Sequence, residues 1–139
     1  MDRRTRLAAY VIAVNASRLL LARIADGYPG AGLWTLPGGG VEFGEHPEDA
    51  LVREVYEESG LAINSFRYLG IDSRVYPARD GTIELHAIRM IYSAELSGPP
   101  RVIEVDGSVD TVQWVPLDDL ATTHTVDLVN SALRIAKLP

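Results

Sequence analysis

The order of apolar, glycine-rich and acidic segments predicts one α/β domain, with strands before and after a central helix and a second helix closing the chain. Three observations carry that expectation. At 139 residues the chain has the length of one domain able to bury a core without disulfide or metal staples. Short apolar runs bounded by Gly, Pro, Asn and Asp flank one strongly marked helix on both sides. No internal repeat, linker or low-complexity tract separates them, so the elements are expected to share one sandwich, spanning residues 1–139.

Leu7 to Val14 (LAAYVIAV) is apolar enough for a buried strand, Asn15-Ala16-Ser17 reads as a turn, and Arg18 to Ile24 (RLLLARI) resumes as a second strand, which predicts a hairpin. Ala25 to Gly32 is loop-like. Leu33 to Leu36 is a short strand, stopped by Pro37 and by Gly38, Gly39 and Gly40. The central helix is expected from about Pro47 to Ser59. Pro47 suits its first position, Glu48 and Asp49 complement the N-terminal dipole, and Gly60 terminates it. Ile63 to Tyr76 holds one strand that ends at Pro77. Thr82 to Leu96 holds a longer one, after an Asp80-Gly81 turn signal. Beyond the loop that opens at Ser97, Thr111 to Val115 is a short strand and Pro116 begins an Asp-rich turn. The last helix covers Val126 to Lys137, with Val126, Val129, Leu133 and Ala136 at helical spacing.

Charge and composition narrow the function. Thirteen basic against 19 acidic residues leave a net charge of -6, and no basic cluster exceeds Arg3-Arg4-x-Arg6, which disfavours a nucleic-acid polymer as partner. A polyanion bound here needs cations to offset the charge. Zero Cys excludes a disulfide framework and a thiolate metal site, and suits a cytoplasmic location. No stretch approaches a membrane span, and Met1-Asp2-Arg3-Arg4-Thr5-Arg6 lacks the apolar run of a secretory signal.

The chemistry concentrates in residues 39–61, GGVEFGEHPEDALVREVYEESGL. On a helix Glu54, Glu57 and Glu58 stand at i, i+3 and i+4, so their carboxylates share an arc of roughly 100°. Like charges so placed weaken an isolated helix by a few tenths of a kcal/mol per pair. A glutamate-rich helix face is more often a solvated surface, but hard divalent cations such as Mg2+ or Mn2+ take oxygen ligands and would offset this repulsion directly. Arg53, beside them, has the planar fork to orient a carboxylate. The glycines either bring backbone N–H groups to a phosphate or pack closely beneath the helix. His46, His86 and His124 have no metal-ligand spacing with one another.

The complete order is Gly39, five residues, Glu45, seven residues, then Arg53-Glu54-Val55-Tyr56-Glu57-Glu58-Ser59-Gly60-Leu61. It resembles the Nudix hydrolase signature G-x5-E-x7-R-E-U-x-E-E-x-G-U, with U apolar, at every specified position. The flanking Trp34-Thr35-Leu36-Pro37-Gly38-Gly39 and Trp114-Val115-Pro116-Leu117 are also similar to the family.

This resemblance implies an α/β/α sandwich with a mixed sheet, a box folded as loop-helix-loop, and MutT-like or ADP-ribose pyrophosphatase-like chemistry. By it, Glu57 and Glu58 hold the metal, and Glu54 is a further ligand or a water-orienting base. Arg53 orients a box carboxylate, Gly39 supplies a turn and a backbone metal contact, and Glu45 ties loop to helix. The implied cofactor is Mg2+, with Mn2+ as substitute. The implied reaction is attack of activated water on a P–O–P linkage of a nucleoside diphosphate joined to another moiety, such as ADP-ribose, or of a (d)NTP.

Relatives often add a carboxylate before the late Trp. Glu104, Asp106 and Asp110 compete for that role, with Glu104 the choice, while the position six before Trp114, often acidic in relatives, is Ser108. Tyr76-Pro77 combines a Tyr and a Pro that separate two substrate groups among relatives, so it does not choose between them. Trp34, Tyr28, Tyr76 and Tyr92 are candidates for stacking on a base. The competing reading is a catalytically silent nucleotide sensor, against which all three box glutamates stand. Homodimers are common among relatives.

Overall fold

The computed structural model describes residues 2–78 and 83–138; the Asp80-Gly81 turn signal and Thr82 lie outside them. The elements in chain order are β1 (Asp2–Ile12), β2 (Val14–Asn15), β3 (Arg18–Ile24), β4 (Trp34–Thr35), β5 (Gly38–Gly40), α1 (Pro47–Ser59), β6 (Phe66–Tyr76), β7 (Ile83–Ala94), β8 (Val109–Pro116), a 3-10 helix (Leu117–Thr122) and α2 (Asp127–Ile135). The central helix occupies the expected residues. One sheet has the order β5-β1-β7-β6 and is mixed, because β1 and β7 run parallel while the other pairs are antiparallel. In the second, β3 pairs antiparallel with β2, β4 and β8.

Two expectations need correction. The first two long strands do not form a hairpin. Backbone pairing across the turn is limited to Val14 and Asn15 pairing with Leu19 and Arg18 and to the Leu20 N–H donating to the Ala13 carbonyl at 3.0 Å, with Ala16 and Ser17 holding φ of 51° and 60°. β1 itself lies in the other sheet, between β5 and β7. The cause is burial on both faces: Ala8, Ala9, Val11 and Ile12 are all buried, which suits an interior strand covered on two sides. β1 also extends back to Asp2, because pairing with β7 carries its exposed, charged half. The short strand β4 does end before Pro37, but Gly38–Gly40 is itself a strand, β5, pairing Gly40, Gly39 and Gly38 with Ala8, Ala9 and Tyr10.

Alternation along the strands sorts neighbouring residues into two cores. Val11, Leu20, Tyr92 and Val112 face α1, where they meet Leu51 and Val55. Ile12, Leu19, Leu21, Ile91 and Val115 face α2, where they meet Leu128, Val129, Ala132 and Leu133. The product is the expected α/β/α sandwich, with α1 laid against β1 and the glycine strand β5. No helix among the described residues is long and apolar enough to cross a membrane.

Candidate active site

Leu51 and Val55 are fully buried and press one face of α1 onto the sheet, and this fixes where its glutamates project. His46 caps the start, its Nδ1 accepting from the Glu48 N–H at 3.1 Å. Gly60, at φ 71°, ends the helix and donates to the Tyr56 carbonyl at 2.8 Å. Between those ends, Glu54 and Glu58 reach the edge where β5 runs past the helix.

The glycines of β5 provide room. A Cβ on Gly39 would stand 2.7 Å from the Glu54 carboxyl carbon, so only a bare backbone fits beneath that carboxylate. Gly38 has φ 141°, a Cβ there would stand 2.2 Å from the Ala9 carbonyl, and its N–H donates to Glu58 Oε1 at 3.1 Å. Glu58 is 3% exposed.

Arg53 organises the rest. Its Nε and Nη2 donate to the two Glu45 carboxylate oxygens, both at 2.9 Å, and its Nη1 donates to Glu54 at 2.9 Å. It also stands 3.5 Å from Glu57 Oε2. The bidentate Arg53 pairing holds the Glu45 carboxyl down at about 2. Burial moves the other three the opposite way. Glu54 is raised by desolvation despite Arg53; Glu57 is raised by desolvation and by Glu104 beside it; Glu58 is raised well above its usual range by desolvation and by Glu54 and Glu104.

Glu104 therefore belongs to this cluster. Its N–H and that of Ile103 both donate to the Glu57 carbonyl at 2.9 Å, docking their loop on the end of α1. Gly107 makes space for the Glu104 carboxylate, which a Cβ there would meet at 2.8 Å. Its two rivals turn elsewhere. Asp110 pairs with Arg23 at 2.9 Å, and Asp106 offers its carbonyl to Tyr28.

Beside the carboxylates lies a cleft of about 420 Å³ between the two sheets, within the size range of small-ligand sites. Gly38, Gly39 and Gly40, Glu54 and Glu58, Arg6, Tyr10, Tyr28, Leu85 and Ser108 all border it. A larger cavity, about 550 Å³ at the C-terminal ends of β1 and β7, contains none of the box glutamates. Chemistry, not size, marks the site.

Of the residues singled out for substrate contact, Tyr28 lies at the cleft. Trp34 does not border it; half-buried, it packs into the core beneath α2. Tyr76 directs its hydroxyl to Asp127 at 2.8 Å and accepts from Arg89 at 2.8 Å, near the start of α2. Tyr92 is buried in the core facing α1. Sequence reasoning missed Arg6 and Tyr10. Their i, i+4 spacing places both on one face of β1, but only the pairing with β5 shows what that face overlooks.

The donor set suits a hard cation: oxygen ligands only, crowded enough to raise one another's pKa, with a glycine floor that leaves space around Glu54. Among the described residues no three such side chains already surround one point as a finished cage. Arg53 holds Glu54, and Glu58 rests on the Gly38 N–H.

A NUDIX domain model matches residues 4–133. The chain belongs to the Nudix family. It is 32% identical over 138 residues to the nucleoside triphosphatase NudI of Enterobacter sp. (strain 638), covering 96% of this chain and 94% of that protein. It is 32% identical over 117 residues to the mouse oxidized purine nucleoside triphosphate hydrolase, covering 84% and 69% of the two chains. A crystal structure of a MutT Nudix hydrolase from Burkholderia pseudomallei superposes with a TM-score of 0.80 at 32% identity, covering 94% of this chain and 97% of that one. The protein is thus a Nudix hydrolase, an enzyme of nucleotide pyrophosphate hydrolysis, and its box is the segment that carries Arg53, Glu54, Glu57 and Glu58.

Proposed function

We propose that this Nudix hydrolase cleaves a phosphate anhydride of a nucleoside triphosphate, with Mg2+, or Mn2+ in its place, held by Glu54, Glu57 and Glu58. The observation that carries this reading is the meeting of those carboxylates with Glu104 where α1 meets the glycine strand. Bound there, a divalent cation would supply charge neutralisation for the phosphate chain and a lowered pKa for water. Glu54, its pKa raised by burial, is placed to take the proton of the attacking water, and Arg53 sets its orientation. Water adds to one phosphorus, the bridging P–O bond breaks, and the leaving phosphate departs with that oxygen. Gly39 serves by leaving space beneath Glu54, and Glu104 completes the acidic rim.

The triphosphate reading rests on two relatives that act on nucleoside triphosphates, one of them matched over nearly its whole length. ADP-ribose is the second reading within the class. The Tyr76-Pro77 pair does not choose between substrates, and Tyr76 itself is tied to Asp127 and Arg89 and does not border the cleft. A silent nucleotide sensor has no use for three intact, crowded glutamates. The absence of Cys fits work in the reducing cytoplasm on a small nucleotide.

The test is a panel of nucleoside triphosphates and ADP-ribose with Mg2+ or Mn2+, with both products identified. A nucleoside monophosphate with pyrophosphate supports the proposal; AMP with ribose phosphate favours the second reading; no cleavage of any anhydride revives the sensor. Glu57→Gln and Glu58→Gln are each expected to lower turnover at least about a hundredfold while circular dichroism stays unchanged. Near-normal Mg2+-dependent activity in both would defeat the assignment.

A further inference from the structure

Arg3, Arg4 and Arg6 stand close together on β1 but differ in what they meet. Arg3 pairs with Glu84 at 2.9 Å and Arg4 with Asp2 at 3.0 Å. Arg6 is in none of the ion pairs among the described residues. Its one side-chain hydrogen bond among the described residues is a long donation from Nη1 to Tyr10 Oη at 3.4 Å. It is also the one basic side chain among the described residues that borders the cleft. The nearby arginines Arg23 and Arg53 are occupied by Asp110 and by Glu45 and Glu54.

The guanidinium has a seat. A Cβ built on Gly40 would stand 3.2 Å from Arg6 Nη2 and 3.4 Å from Nε. Gly40 is not among the residues with positive φ, so its backbone does not demand glycine. What it lacks is a side chain where Arg6 lies. The neighbouring glycine, Gly39, does the same for the Glu54 carboxylate. Gly39 and Gly40 present opposite faces of β5, so Glu54 lies against one side of this edge strand and Arg6 against the other, and both border the same cleft, where one phosphate chain has both for neighbours.

We infer that Arg6, seated over Gly40 and steadied by Tyr10, is a substrate-binding residue that grips a phosphate oxygen of the nucleotide in the cleft it shares with Glu54 and Glu58. The inference rests on the proposed hydrolysis of a nucleoside triphosphate and names how this chain holds that substrate. A guanidinium suits the task because its parallel N–H donors match phosphate oxygens and stay charged at every working pH. The alternative, a contact to one edge of the base, depends on which base is present, whereas a phosphate contact does not.

Arg6→Ala, Arg6→Lys, Gly40→Ala and the double variant Arg6→Ala/Gly40→Ala decide it. KM and kcat would be measured with Mg2+, and Kd by calorimetry for α,β-imido analogues of ATP, GTP and CTP. Arg6→Ala is expected to raise KM and Kd roughly tenfold for all three bases, with kcat changed less than about threefold. Arg6→Lys should recover part of the loss. Gly40→Ala, which displaces only the end of a flexible side chain, should weaken binding in the same direction, and the double variant should be no worse than Arg6→Ala. Unchanged KM and Kd in Arg6→Ala would overturn the inference, as would a loss confined to one base or fully additive losses in the double variant. If the wild type cleaves no anhydride, the proposed reaction fails, while the analogue titrations still report on Arg6.

Discussion

Glu58 is nearly fully buried, accepts one hydrogen bond from the Gly38 N–H, and faces Glu54 and Glu104. Its raised pKa, with those of Glu54 and Glu57, makes the folded protein bind protons more tightly than the unfolded chain. The stabilising contribution of such groups is fully present below the unfolded value near 4.5 and is lost as pH rises through the folded values. Glu45, held at about 2 by Arg53, works in the opposite sense: its contribution is present above the unfolded value and is lost as pH falls toward 2. In EDTA, the thermal midpoint should therefore decline as pH rises from about 4.5 toward neutrality. Glu58→Gln should raise that midpoint and flatten its pH dependence. Mg2+ at a hundred times its Kd should restore about 2.7 kcal/mol at neutral pH in the wild type and markedly less in Glu58→Gln. A wild-type midpoint indifferent to Mg2+ would count against the cation site.

An α-helix leaves its last carbonyls without partners, and α1 uses them to build its surroundings. The Ser59 carbonyl accepts from the Arg101 N–H at 2.8 Å, and the Glu57 carbonyl accepts from both Ile103 and Glu104. The segment that follows β7 is thereby fastened to the helix end, and Glu104 is carried to the glutamate row. Gly60 makes this closure possible. It holds φ 71°, and a Cβ there would stand 3.0 Å from the Arg101 carbonyl oxygen. Gly60→Ala is expected to cost about 1–2 kcal/mol of stability, from the left-handed backbone and the crowding together. Chemical denaturation measures that cost. Because the same crowding pushes on the Glu104 segment, turnover at saturating Mg2+ should also fall; a variant with lost stability but unchanged kcat would separate the segment from catalysis.

Across the molecule, two hydrophobic layers lie on opposite sides of the sheets, each closed by one helix. Leu51 belongs to the layer under α1 and Leu128 to the layer under α2, and the two clusters share no member. Leu51→Ala and Leu128→Ala should each cost about 2–5 kcal/mol through lost burial and a residual cavity. Their effects should add within about 0.5 kcal/mol, as for sites without common partners. Urea unfolding of the single and double variants checks this, and strong coupling would show that the layers communicate through the strands. Leu51→Ala alone should also lower turnover, because the helix it anchors carries the glutamates.

The sequence by itself determined what is local. Pro47, the acidic first turn, Leu51, Val55 and Gly60 are a helix start, a buried face and a stop within one short segment, and Glu54, Glu57 and Glu58 follow on one side of that helix by its period alone. The box spacing determined the family for the same reason, since all its positions lie within residues 39–61. Tertiary structure decided what depends on distant pairing. It took β1 out of the expected hairpin and set it beside β7, because a strand apolar on both faces is satisfied only inside a two-sided core. It made the three glycines a strand, placed Trp34 and Tyr76 outside the cleft, brought Arg6 and Tyr10 to it, and set Glu104, already singled out in the sequence, beside Glu57. Side-chain period states which residues share a face. What that face meets is set by register and layer order, which arise from contacts between segments far apart in the chain.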